Sequence, residues 1–128
     1  MRTGSNFRSL TAFETEVLVR LLQVDEPFYA GLREQVSHLC AATLDQWGSF
    51  ALAPADSEQS TGGKVRGSLP YLGVTKDVDG VPIQFAVFVD HDDQLSAVEI
   101  TRLDGQPLRS RLMPESISLQ LDQPGAVI

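Results

Sequence analysis

Cysteine is almost missing from this 128-residue chain: Cys40 stands alone, so no disulfide can close within it. Such usage fits a reducing compartment. Histidine is nearly as scarce. His38 and His91 with Cys40 are the only nitrogen and sulfur ligands, and they stand at no spacing that brings three or four ligands around a zinc ion. Long apolar runs are lacking too. The longest, such as Phe85 to Val89, fall far short of the roughly 20 residues a membrane span needs. The Met-Arg-Thr-Gly-Ser-Asn start has no apolar secretory stretch. There is no glycine-rich phosphate loop, no Gly-x-Ser-x-Gly and no basic stripe for nucleic acid. The expectation is a cytoplasmic protein with no metal or cofactor, touching neither membrane nor nucleic acid.

Acid is what the chain does have. Asp77, Asp79, Asp90, Asp92, Asp93, Glu99 and Asp104 face only Arg102 across one segment, which carries −6 of the formal −7. A field of one sign repels nucleic acid and anionic lipid and attracts a basic partner. At this length one domain is expected, over residues 1–128, large enough to bury a core without staples. A hydrophobic content of 42% argues against wholesale disorder.

Residues 1–9 read as a lead-in, and residues 10–37 as a helix pair. Thr11 precedes Glu14 at capping-box spacing, and Phe13, Val17, Leu18, Leu21 and Leu22 follow at helical period. Asp25-Glu26-Pro27 restarts a helix, with Asp25 as cap and proline in the first turn. Phe28, Leu32, Val36 and Leu39 give it an apolar side, weakened by Gly31. So short a connection predicts an antiparallel helix hairpin. The sheet is expected over 38–122. His38–Leu44 and Ser49–Ala53 are strand candidates, separated by an Asp-Gln-Trp-Gly turn. Residues 54–68 read as a mobile polar loop. Leu69 to Lys76, the alternating run Ile83 to Val89, Leu95 to Leu103 and Ile117 to Leu121 supply further strands, with a frayed tail from Gln123. The sum is an α+β fold: an N-terminal helix pair packed on one face of a mainly antiparallel β-meander of about five or six strands. Phe13, Leu21, Phe28 and Leu32 are expected to cover that face.

Asp77-x-Asp79-Gly80 opens like a calcium loop, but the position where such a loop needs its glutamate falls in the apolar strand, so it reads as a hairpin turn. Paired-carboxylate catalysis needs environments that drive the two pKa values apart, and three aspartates in the turn at 90–93 supply no such contrast. Glu99, mid-strand, is either exposed or buried against Arg102, Arg20 or Arg8, because an unpaired buried carboxylate is costly. Trp47 and Tyr71 are packing residues, or interface anchors if exposed beside the acidic turn.

Phe7-Arg8-Ser9-Leu10-Thr11-x-x-Glu14, Asp77-x-Asp79-Gly80-Val81-Pro82-Ile83, Leu95-x-x-x-Glu99-Ile100 and Asp104-Gly105 resemble the motifs of a family of small uncharacterised bacterial α+β domains. The resemblance spans most of residues 7–122 and implies a helix pair followed by an antiparallel sheet, with no catalytic residues. In size, charge and class the chain is also similar to immunity proteins, which neutralise a toxin encoded beside them. The function expected is therefore a non-catalytic, immunity-type inhibitor, a monomer or homodimer, that binds a basic toxin or effector. Its partner-binding residues are expected to be Asp77, Asp79, Asp90, Asp92, Asp93, Glu99, Trp47 and Tyr71. The alternative is a small enzyme or ligand-binding domain, with a pocket between helices and sheet lined by Phe13, Phe28 or Phe85.

Overall fold

Thr11 opens the first helix as its capping box requires. Its hydroxyl accepts from the Glu14 amide at 3.0 Å, and the Glu14 carboxylate accepts from the Thr11 amide at 2.9 Å. Helix α1 runs Ala12–Leu21 and buries Val17, Leu18 and Leu21. A computed structural model describes residues 7–55 and 65–121, with backbone alone at 65 and 66. Most of the predicted lead-in and loop, and the whole tail from 123, lie outside the described residues.

Helix α2, Pro27–Gln35, has proline in its first turn as expected, but its cap is Glu26 rather than Asp25, and no side chain caps it. Its buried face also differs from the prediction. Tyr29 and Leu32 are buried, whereas Phe28 is 41% exposed. The helices do not form the predicted hairpin. The packing neighbours of α1 are the strand Tyr71–Lys76 and the 3-10 turns at 36–38 and 114–116, while α2 runs into the first of those turns. A guanidinium links the two helices: Arg33 of α2 donates to the Leu22 carbonyl at 2.7 Å, a group left over where α1 ends, and at 3.0 Å to the Val24 carbonyl, which also accepts from the Glu26 amide.

Among the described residues the sheet has eight strands rather than five or six: β1 (Arg8–Ser9), β2 (Leu39–Thr43), β3 (Phe50–Pro54), β4 (Val65–Ser68), β5 (Tyr71–Lys76), β6 (Pro82–Asp90), β7 (Leu95–Arg102) and β8 (Ser118–Leu121). Their order is β1-β2-β3-β7-β6-β5-β8, with β4 also on β6. Every pairing is antiparallel. Only β5-β6-β7 is a simple meander. β1 lies in the predicted lead-in and β4 in the predicted loop. β5 takes the first half of β6 and β4 the second. Between them the Leu69 amide continues the ladder to Val87, at 2.8 Å, and Pro70, which has no N–H to donate, breaks it.

One face of the sheet carries the core: Phe50, Leu52, Ile83, Phe85, Val87, Val98 and Ile100 meet α1, Tyr29 and Leu32. Gly73 permits the closest approach. A β-carbon there would clash with Leu21 and lie 2.9 Å from Ile117 Cγ2.

Candidate functional site

The register of β6 on β7 sets Arg102 opposite Ile83, on the core face at one end of the sheet. The turns at 77–81 and 103–105 close over that end, bent by Gly80 and Gly105 at φ 86° and 77°, values glycine adopts without steric cost. Three carboxylates thereby converge on one guanidinium. Arg102 Nε and Nη2 donate to Asp104 at 2.8 Å each; Nη1 donates to Asp77 at 2.8 Å and Asp79 at 2.9 Å; Nη2 also donates to Asp79 at 2.7 Å. All five N–H donors of a guanidinium are thus engaged.

Asp77 is as fully used. It accepts from the Val78 amide at 2.8 Å, the Arg109 amide at 2.6 Å and the Ser110 hydroxyl at 2.7 Å, in addition to Arg102. The crossover after β7 is fastened to the β5–β6 turn through it. Burial pushes the Asp77 carboxyl up, but these donors together outweigh burial and hold it well below the usual carboxylate range. Arg102 holds Asp104 down to about 2 and Asp79 below its ordinary value. Its own pKa is raised in turn, chiefly by Asp104. Arg109, largely exposed, adds a 3.1 Å contact to Asp79.

The β6–β7 turn lies at the opposite end of the sheet, so the two acidic turns do not form one patch. Asp90 is buried, and its carboxylate accepts from the Asp92 and Gln94 amides at 2.8 and 3.0 Å. Asp93 sits in the left-handed region at φ 58°, which aspartate tolerates better than most residues. From α2, Gln35 donates to the Asp93 carbonyl and accepts from the Leu95 amide, both at 2.9 Å. The side chains of Asp92 and Asp93 are exposed.

Glu99 is exposed on the face away from the helices, opposite Ala86. None of its three suggested partners reaches it. Arg102 faces the core; Arg20 donates to the Ile117 and Glu115 carbonyls; Arg8 makes a bidentate pair with the buried Glu14, both contacts 2.8 Å. Burial pushes Glu14 up, yet Arg8 and Thr11 hold it below its ordinary value. Trp47 is half-buried in the β2–β3 turn, whose Ser49 hydroxyl meets the Ile100 amide at 2.8 Å, far along β7 from the acidic turn. Tyr71 packs edge-on against Tyr29, ring centroids 6.0 Å apart. Neither aromatic stands beside Asp92 and Asp93.

Of the predicted residues, Asp77 and Asp79 serve the Arg102 network and Asp90 serves its own turn. Sequence reasoning missed Arg102 as the hub. The available signal was a repeated grammar: Asp77-x-Asp79-Gly80 and Arg102-x-Asp104-Gly105 end alternate strands of a meander, which places them at one end. His38 lies in a 3-10 turn, Cys40 on β2 and His91 in the β6–β7 turn. Among the described residues, no three His, Cys, Asp or Glu side chains are arranged to hold a metal ion. A groove of about 310 Å³ opens between α2 and the β4–β5 junction, lined by Phe28, Tyr29 and Pro70 among others. Phe13 is not among its lining residues, and Phe85 is fully buried in the core.

A domain of unknown function, DUF6984, matches residues 7–112. The chain belongs to that family. The DUF6984 span takes in the Arg8–Glu14 pair, both acidic turns and the whole Arg102 network, and it ends ahead of β8. No curated protein and no solved structure matches the chain. No helix among the described residues is long and apolar enough to cross a membrane.

Proposed function

We propose that this DUF6984 protein is a non-catalytic binding protein, an immunity-type inhibitor that neutralises a basic toxin or effector in the cytoplasm by occlusion. The observation that carries this reading is the braced β6–β7 turn. Asp90 ties the turn from inside and Gln35 from α2, so Asp92 and Asp93 are held in place before a partner arrives. Preorganisation of this kind lowers the ordering cost of association. Asp77, Asp79 and Asp104 are matched by the protein's own arginines, so the proposed surface does without them. Phe28, exposed on the helix that braces the turn, replaces Trp47 and Tyr71 as the aromatic anchor. Glu99 extends the negative field onto the outer face.

The test is affinity capture from the native host with wild type and an Asp92→Lys/Asp93→Lys variant. A basic protein captured by wild type should associate at least tenfold more slowly with the variant at low salt, a gap that closes as salt screens the charges. Capture of no basic protein, or association indifferent to salt and to the variant, overturns the reading.

A further inference from the structure

The protein carries far more acid than base, yet one groove has a basic lining. About 640 Å³ in volume, it opens where the crossover at 110–113 passes the end of β5 and turns into β8. Lys76 and Arg111 line it, and among the described residues no aspartate or glutamate does. Both cations are exposed.

These two are distinguished by what they do not touch. Arg8 is taken by Glu14, Arg102 by three aspartates and Arg109 by Asp79; Arg20 and Arg33 are taken by backbone carbonyls. Lys76 and Arg111 have no side-chain partner among the described residues. Every cation whose side chain is described is therefore committed within the protein except two, and those two share one groove. The described carboxylates that flank these segments in the sequence are engaged or placed elsewhere. Asp77, next to Lys76 in sequence, already accepts four hydrogen bonds, and Asp79 is held by Arg102 and Arg109. Glu115 lines a different groove, beside α1.

The rest of the lining is mixed. Ser118 and Gln120 bring polar groups from β8, while Val74, Val78 and Met113 bring apolar surface. Val78 is 74% exposed and Met113 50% exposed, costly placements for side chains whose burial is worth roughly 1.5–3 kcal/mol. We infer that this groove binds a small organic anion, its carboxylate or phosphate head held between Lys76 and Arg111 and its apolar body against Val78 and Met113. The volume falls in the range of about 300–1,000 Å³ typical of small-molecule sites. A guanidinium and an ammonium on one anion give charge-assisted hydrogen bonds, the stronger kind. The site is separate from the acidic turn at the other end of the sheet, and neither reading depends on the other.

The experiment is amide NMR titration of the full chain with octanoate, octyl phosphate and, as the uncharged comparison, 1-octanol. Expected are saturable shifts centred on Val74–Val78 and Arg111–Gln120 with at least one of the two anions, and none with the alcohol. A Lys76→Gln/Arg111→Gln variant should lose about tenfold or more in affinity, while Arg109→Gln, which removes a neighbouring cation outside the groove, should bind as wild type does. Absence of saturable shifts with both anions, equal binding of 1-octanol, or equal weakening by Arg109→Gln overturns the inference. The first two exclude an anion site, and the third reduces it to diffuse charge.

Discussion

A lysine at position 102 would keep the charge and lose the fork. Its ammonium offers three donors on a flexible stem, where the three aspartates hold five N–H groups in one plane. Arg102→Lys should lower the urea midpoint at pH 7 more than Arg109→Lys does, since Arg109 makes one exposed contact to Asp79. Equal midpoints would mean the network contributes little. Tyr29 poses the opposite case. Burial pushes its hydroxyl up to about 12, against a small opposing effect of the Tyr71 backbone, and that hydroxyl has no hydrogen-bond partner of good geometry. Burial disfavours only the ionised form, so the shift costs nothing below pH 10, and stability falls as pH rises from 10 toward about 12. Tyr29→Phe should therefore be neutral or stabilising by up to about 1 kcal/mol near pH 7, and should flatten the alkaline fall. Melting temperatures of both proteins between pH 7 and 12 check this.

Among the elements, β5 is the one most sensitive to a single methyl. Leu21 and Ile117 both crowd the spot a β-carbon on Gly73 would fill, so Gly73→Ala must push α1 or the crossover away. Overpacking of this kind costs roughly 1–3 kcal/mol, read as a drop in unfolding midpoint; an unchanged midpoint would show that α1 shifts freely. Helix α1 was legible because its cap and its apolar period agree, and β6 because four core residues alternate with half-buried ones. The face of α2 was misjudged because Phe28 and Tyr29 are adjacent aromatics, and a sequence alone does not say which of two neighbours turns inward. β1 and β4 were missed for a different reason. Two and four residues are too few to show a period, and only partners distant in sequence, Ala41 for Arg8 and Asp90 for Val65, define them.

The whole molecule has an acid limit set by its internal pairs. Glu14, Asp77, Asp79 and Asp104 all titrate below their ordinary values in the fold. Depressed carboxylates stabilise above the unfolded value and cease to as pH falls through the folded one. Stability should be level from neutrality to about pH 5 and decline from about 4 toward 2; a decline already complete at pH 5 would contradict the pairing. The charge pattern was legible as a sum but not as a field. The aspartates at 77 and 79 reach their counter-ion across more than twenty positions, and only the strand order shows that their turn and Arg102 share one end of the sheet. Their bonding also decides chemical reactivity. A guanidinium with every N–H occupied and its side chain 3% exposed is shielded from dicarbonyl reagents, whereas Arg111 is open to them. Peptide mapping should find the adduct on Arg111 within minutes and on Arg102 only once the chain unfolds, making that arginine a built-in reporter of the native state.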